Sequence, residues 1–248
     1  MRNVNTFILL LFTLLAAPVA DGCRKDYRDN LLKIKPEHFL SDDKYNRLDV
    51  ELVFVQGYGP TQQTVAHITN FLTARLNKPS GINITSREIS PTGRGSVSSE
   101  DLRDLEKQHR TKFTKGKTLA AFFFFVDAPF SGNSGNEKTL GVAYGTTSMA
   151  VFSQTVYEYS GGFGQPSRFT LETAVAEHEI GHLLGLVDNG TDMKTFHRDE
   201  SHGKHCTEQN CLMYYQVETN NILLNILQNN IPELDQNCLN DLKANGGK

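Results

Sequence analysis

The chain has 248 residues, a formal net charge of −3 and the apolar content of an ordinary globular protein. That length suits one sizeable domain with a real core, and with no basic run in it nucleic acid is not an expected partner. Four cysteines are too few for a fold held together by disulfides.

Residues 1–22 hold one Arg, an apolar run from Phe7 to Ala17 interrupted only by Thr13, and then small residues. The run is too short to span a bilayer comfortably and has the layout of a secretory signal peptide. Cleavage after Gly22 leaves Cys23 first, which resembles a bacterial lipoprotein signal. The expectation is an exported chain, tethered to the membrane by lipid at Cys23, with plain secretion as the alternative. Residues 23–47 are mixed and polar and read as a tether with little structure.

Order is expected to begin with the strand in RLDVELVFVQGYG (47–59), apolar at Val50, Leu52, Phe54 and Val55. A helix follows in residues 60–81, with Val65, Ile68, Phe71, Leu72 and Leu76 at helical spacing and a Pro-Ser-Gly stop. GINITSREI (81–89) alternates like a half-buried strand. SSEDLRDLEKQHRTKF (98–113) opens a helix with Ser99 as N-cap and acidic residues in its first turn. The unbroken apolar run Leu119–Val126 suits a central strand covered on both faces. This alternation implies an α/β layer. A glycine-rich loop and one or two short strands come next, then the flexible link YSGGFGQPS (159–167) and the helix FTLETAVAEHEIGHLLGLV (169–187). The tail holds an amphipathic segment at Ile222–Leu227 and a short helix ending at Gly246.

The chemistry lies on the helix after the link. His178 and His182, four apart, project from one face and can share a Zn²⁺ ion at about 2.0–2.1 Å each. Glu179 sits about 100° further around the wheel, close enough to take a proton from a zinc-bound water whose pKa the ion lowers to about 7. Such spacing also arises by chance on polar helix faces. Here the apolar residues Ala174, Val175, Ile180, Leu183 and Leu184 beside the pair, and the exported context, favour a zinc peptidase.

A catalytic zinc needs a third protein ligand. Gly185, three residues past His182, can adopt the left-handed turn that ends a helix. Glu200 lies at the distance a thermolysin-like glutamate would occupy, but its neighbours have no helical periodicity. The glycine fits the metzincin pattern His-Glu-x-x-His-x-x-Gly-x-x-His, which puts the third ligand at residue 188, an aspartate. Asp188-Asn189-Gly190 is also a turn sequence. Downstream, HCTEQNCLMY (205–214) reads His-Cys-x-x-x-x-Cys-x-Met and resembles the archaemetzincin signature, resumed seventeen residues late. His205 is the preferred third ligand, with Asp188, His197 and His202 as alternatives. The layout also resembles exported sequences labelled membrane metalloproteases. The specific motifs lie between His178 and Met213.

That resemblance implies several further roles. Met213 is the methionine of the turn beneath the metal. Several metzincins, though not usually archaemetzincins, place a tyrosine where Tyr215 stands, two residues on, to bind the metal or steady the oxyanion; the alternative is an aromatic packing residue. Archaemetzincins hold a second, structural zinc with four thiolates. Here Cys206, Cys211 and Cys238 remain, with Asp241 where the last cysteine is expected. A Cys206–Cys211 or Cys211–Cys238 disulfide is the alternative.

The expected fold is α/β (α+β): a metzincin-like zincin domain over 48–248, with a twisted mixed sheet, two backing helices, an active-site helix and a small C-terminal lobe from about residue 188. The expected function is a monomeric zinc metallopeptidase acting on peptides or proteins, with substrate extended along an edge strand in the Thr139–Phe152 region. The rival is a zinc-binding envelope lipoprotein without catalysis.

Overall fold

The computed structural model describes residues 33–221 and 224–248. The expected signal peptide, its cleavage site and Cys23 lie outside the described residues, as do Ile222 and Leu223. Among the described residues no helix is long and apolar enough to cross a membrane.

The described elements run α1 (Glu37–Leu40), β1 (Arg47–Val55), α2 (Gln62–Arg75), β2 (Ile82–Ile89), α3 (Ser99–His109), β3 (Thr118–Val126), β4 (Gly141–Ala143), β5 (Ser148–Phe152), α4 (Ser153–Glu158), α5 (Arg168–Leu183), a 3₁₀ turn at Tyr215–Glu218, α6 (Leu224–Leu227) and α7 (Gln236–Ala244). The strands form one mixed sheet in the order β2-β1-β3-β5-β4. β1 pairs in parallel with β2 and β3, and β3 in parallel with β5. β4 runs antiparallel to β5 and forms an edge of the sheet.

β3 shows why a continuous apolar run belongs at the centre. Leu119, Ala121, Phe123 and Phe125 face a core shared with Ile68, Leu72 and Val175, and so with α2 and α5. Phe122, Phe124 and Val126 face the opposite core, where Leu102 and Leu105 of α3 cover them. A strand covered on both sides has no use for alternating polarity. β2, at the other edge, keeps the half-buried alternation read from its sequence.

Local signals set most helix ends. Thr61 caps α2, accepting a hydrogen bond from the Thr64 amide. α3 begins one residue earlier than expected. Ser98, not Ser99, is its N-cap, and forms a reciprocal capping box with Asp101.

The boundary expected at residue 47 is too late. Ile34, Phe39, Leu40 and Tyr45 are buried in the main core with α2 and β1. These scattered apolar residues show no periodicity, so only long-range contacts reveal their order. Asn77 donates its amide to Leu40 O at 2.8 Å, and Ser80 to Asn46 O at 2.9 Å. The buried Lys78 ammonium donates to the carbonyls of His38 (3.0 Å), Tyr45 (2.7 Å) and Ser41. α4 also carries no periodic signal and starts directly from β5.

Lys78→Met is expected to destabilise the fold by about 1–3 kcal/mol, because three carbonyls lose one shared donor. Burial pushes the Lys78 pKa down to about 8, with Asp42 and Asp43 opposing. The unfolded chain, near 10.4, therefore holds more protons across roughly pH 8–10. Stability due to this group rises with pH through that window. Urea midpoints at pH 7 and pH 10 check both points, since the variant should lose that rise.

Candidate metal centre

α5 is buried along almost its whole length, its N-terminus capped by Ser167, which accepts from the Thr170 amide. His178 and Glu179 are fully buried, His182 and His205 nearly so. The helix ends after His182 in a Schellman turn. Gly185 donates to His182 O and Leu186 to Gly181 O, each at 3.1 Å. Gly185 has φ +84°, and a side chain there would meet Pro36 and Thr191 at 2.7 Å. The N-terminal segment thus packs directly against the turn of the motif. Gly181 is required by closeness, since a Cβ would collide with Met213 Sδ. Met213 therefore lies beneath the helix between the two histidines, as its place in the motif predicts.

Beyond the turn the chain detours. Val187 and Asp188 take left-handed backbone, φ 55° and 59°, which is uncommon and strained for a β-branched residue. Asp188 faces outward, its carboxylate pairing with Arg198 and Lys204 and its carbonyl also accepting from Lys204. These bonds cinch the loop that brings the chain back. His202 stacks on the ring of Tyr215, centroids 3.6 Å apart, and pairs with Asp199 at 2.6 Å. Glu200 is exposed. Asp188 and His202 are thus engaged elsewhere.

His205 completes the triad. Its ring centroid lies 5.2 Å from that of His178 and 5.1 Å from that of His182. Its Nδ1–H donates to His202 O at 2.6 Å, and His178 Nδ1–H donates to Leu212 O at 2.7 Å. Both bonds leave Nε2 as the free lone pair, turned inward, as metal-binding histidines require. The Nε2 atoms of His178 and His182 are 3.1 Å apart. Two nitrogens around a tetrahedral ion at 2.0–2.1 Å sit about 3.3 Å apart, so this spacing fits zinc.

Electrostatics points the same way. Burial, then the neighbouring histidines, lowers the pKa of His178 to about 3, and that of His182 is lowered to about 3 in the same manner. Both rings are neutral. Glu179 is raised well above the ordinary carboxylate value by burial and by the charge of Glu218. β4 packs on it, since a Cβ at Gly141 would fall 2.7 Å from Glu179 Oε1. The pKa of His205 is raised, burial being outweighed by its pairing with Glu218. The neutral rings of His178 and His182 face the buried Glu179 and the part-exposed Glu218, with no Lys or Arg paired to either carboxylate among the described residues, and this suits a dication.

Tyr215 departs from the sequence reading, and Glu218 is absent from it. Tyr215 is in the 3₁₀ turn, but its ring contacts are His202 and Tyr214, and its hydroxyl accepts from Gln216 at 3.2 Å. None of the three histidines is among these partners. The side chain of that turn which reaches the site is Glu218. Its Oε1 lies 3.3 Å from His205 Nε2 and its Oε2 3.7 Å from His178 Nε2. Ligand atoms of His178, His182, His205 and Glu218 all fall within 4.8 Å of one another.

A second cluster stands beside the first. Cys206, Cys211 and Cys238 are buried free thiols brought together from a loop and from α7. Cys211 and Cys238 sulfurs are 3.7 Å apart. His197 Nδ1 lies 3.3 Å from Cys206 Sγ, and ligand atoms of His197, Cys206, Asp235 and Cys238 lie within 4.8 Å of one another. Backbone amides of Glu208, Met213 and Asp235 point at the sulfurs of Cys206 and Cys211, each at 3.4 Å. Asp235 is occupied as the N-cap of α7. Asp241, expected as the fourth ligand, instead holds His197 Nε2 at 2.9 Å and accepts from the Lys194 amide at 2.7 Å. Beside the thiols, then, it is the ring of His197 that lies next to a cysteine sulfur, while Asp241 lies behind that ring.

A mixed sheet, closed by an antiparallel edge strand over a helix that supplies two of three converging histidines, defines a metzincin-like α/β fold. The crystal structure of archaemetzincin from Methanopyrus kandleri matches it, covering 81% of this chain and 96% of its own, with a TM-score of 0.50 and 15% sequence identity. The fold is therefore archaemetzincin-like. No protein-family model and no curated protein matches the sequence.

Proposed function

We propose that the chain is a zinc metallopeptidase with His178, His182 and His205 as zinc ligands and Glu179 as general base. The observation that carries this is the convergence of three inward-facing Nε2 atoms beside a buried glutamate on the same helix. When bound, zinc supplies Lewis acidity toward a peptide carbonyl and acidifies water. Glu179 takes a proton from the attacking water and passes it to the leaving amine nitrogen as the C–N bond breaks. Burial and the close approach of Gly141 to its side chain hold it in place. His202 O and Leu212 O fix the rings of His205 and His178. β4, an edge strand with one side unpaired in the sheet, offers its main chain to an extended peptide above α5.

The second cluster, in this reading, holds a structural zinc through Cys206, Cys211, Cys238 and His197. Three thiolates and an imidazole form a standard closed tetrahedral set. Asp241 orients His197 from behind, as carboxylates do for metal-bound histidines. The proposal includes export through residues 1–22 and a lipid at Cys23, which rest on the sequence of that segment alone.

Zinc content tests the ligand set. His205→Ala should lose one zinc per chain, while Asp188→Ala keeps it, because Asp188 faces two surface cations. Loss of zinc with Asp188→Ala and retention with His205→Ala would reject the set.

A further inference from the structure

Glu218 has no part in the motif that identifies the centre. We propose that Glu218 is a fourth protein ligand, closing the metal centre in the resting protein until substrate displaces it. The inference rests on the three-histidine centre being a metal site.

Three observations carry it. First, both carboxylate oxygens point at the space the histidines enclose, 3.3 Å from His205 Nε2 and 3.7 Å from His178 Nε2. These two rings are its only ion-pair partners among the described residues. Second, Glu218 is the outermost member of the group. Its side chain is 25% exposed, against 0% for His178 and 10% for His205. It thus stands on the solvent side, where a substrate carbonyl or small anion must enter. Third, its backbone is tied to the edge strand that would receive a peptide. Leu140, just before β4, donates its amide to Glu218 O at 2.7 Å, and Thr139 bridges to Thr219. A peptide pairing with β4 therefore acts on the backbone that carries the carboxylate.

The chemistry is balanced. Histidines bind a metal as neutral imidazoles, so the carboxylate of Glu218 would bring negative charge against the dication. Carboxylate is an ordinary zinc ligand at about 2.0–2.2 Å. Exchange of Glu218 for a carbonyl oxygen needs no proton and no redox partner.

The test uses the full chain loaded with Co²⁺, read by visible absorption, and with Zn²⁺, read by chelator competition. The thiolate-to-cobalt charge-transfer band marks the cysteine cluster separately. In wild type, azide should leave the ligand-field bands of the histidine centre unchanged. In Glu218→Ala and in the milder Glu218→Asp, azide should shift them, and zinc affinity at this centre should fall at least tenfold. Wild-type bands that shift with azide as the variants' do, with equal zinc affinities, overturn the assignment of Glu218 alone. Absence of any metal from the histidine centre of wild type overturns the metallopeptidase reading with it.

Discussion

Glu179→Gln should reduce peptide hydrolysis by about 10²–10⁴-fold while zinc content stays at the wild-type value. Glutamine keeps the size and shape of the side chain, so its packing against Gly141 survives. It takes no proton from water, however, and has none to give to a leaving amine. The three histidines do not depend on it: His178 and His205 are held by carbonyls, and His182 by its place one turn along the helix. Rates on a peptide library, with zinc measured on the same samples, separate chemistry from metal binding. Full activity in the variant would remove Glu179 from the mechanism. A wild type that binds zinc at the histidines yet cleaves no peptide in the library would favour a zinc-binding protein without catalysis.

Much of this was legible in the sequence where one local pattern governs one element. The run Leu119–Val126 announced a strand covered on both sides, and His178 with His182 announced a shared face. Gly185 announced the turn. The failures share a cause. Ile34, Phe39, Leu40 and Tyr45 lie in a polar stretch without a period, and their order comes from the carbonyls gathered by Lys78, a residue outside that stretch. His197 sits in a loop among polar residues, and nothing nearby in sequence indicates that Cys238, forty-one residues on, will stand beside it. Glu218 was hidden because a 3₁₀ turn of four residues has no periodicity to show which side chain turns inward. Tyr215 stands out by its distance from Met213, whereas in the folded turn it is the residue three positions later whose carboxylate reaches the histidines. The signal that was available for His197 was chemical: three buried thiols without a fourth partner ask for one more donor.

The second cluster sets the largest expected loss of stability. Cys206 follows His205 directly, and Cys211 precedes Met213 by two residues, so a metal held there also fixes the third ligand and the methionine under the centre. Structural zinc contributes about 10–16 kcal/mol to small zinc-finger peptides. Even about 4 kcal/mol in a chain of this size lowers Tm by roughly 8–16 °C. Cys238→Ser should therefore lose one zinc per chain, melt at least about 8 °C lower, and lose activity although it touches no residue of the catalytic centre. His197→Ala should behave the same way. Asp241→Asn should not: it loosens the ring from behind and weakens that zinc by about 10–100-fold, so excess zinc restores both Tm and activity. Calorimetry with zinc analysis across the three variants decides between the donors. If Asp241→Asn alone sheds the metal while His197→Ala keeps it, Asp241 is the ligand and His197 is not. If wild type carries a single zinc and Cys238→Ser melts unchanged, the cluster holds no metal, and the chain brings His205 back by packing and the Asp188 ion pairs alone.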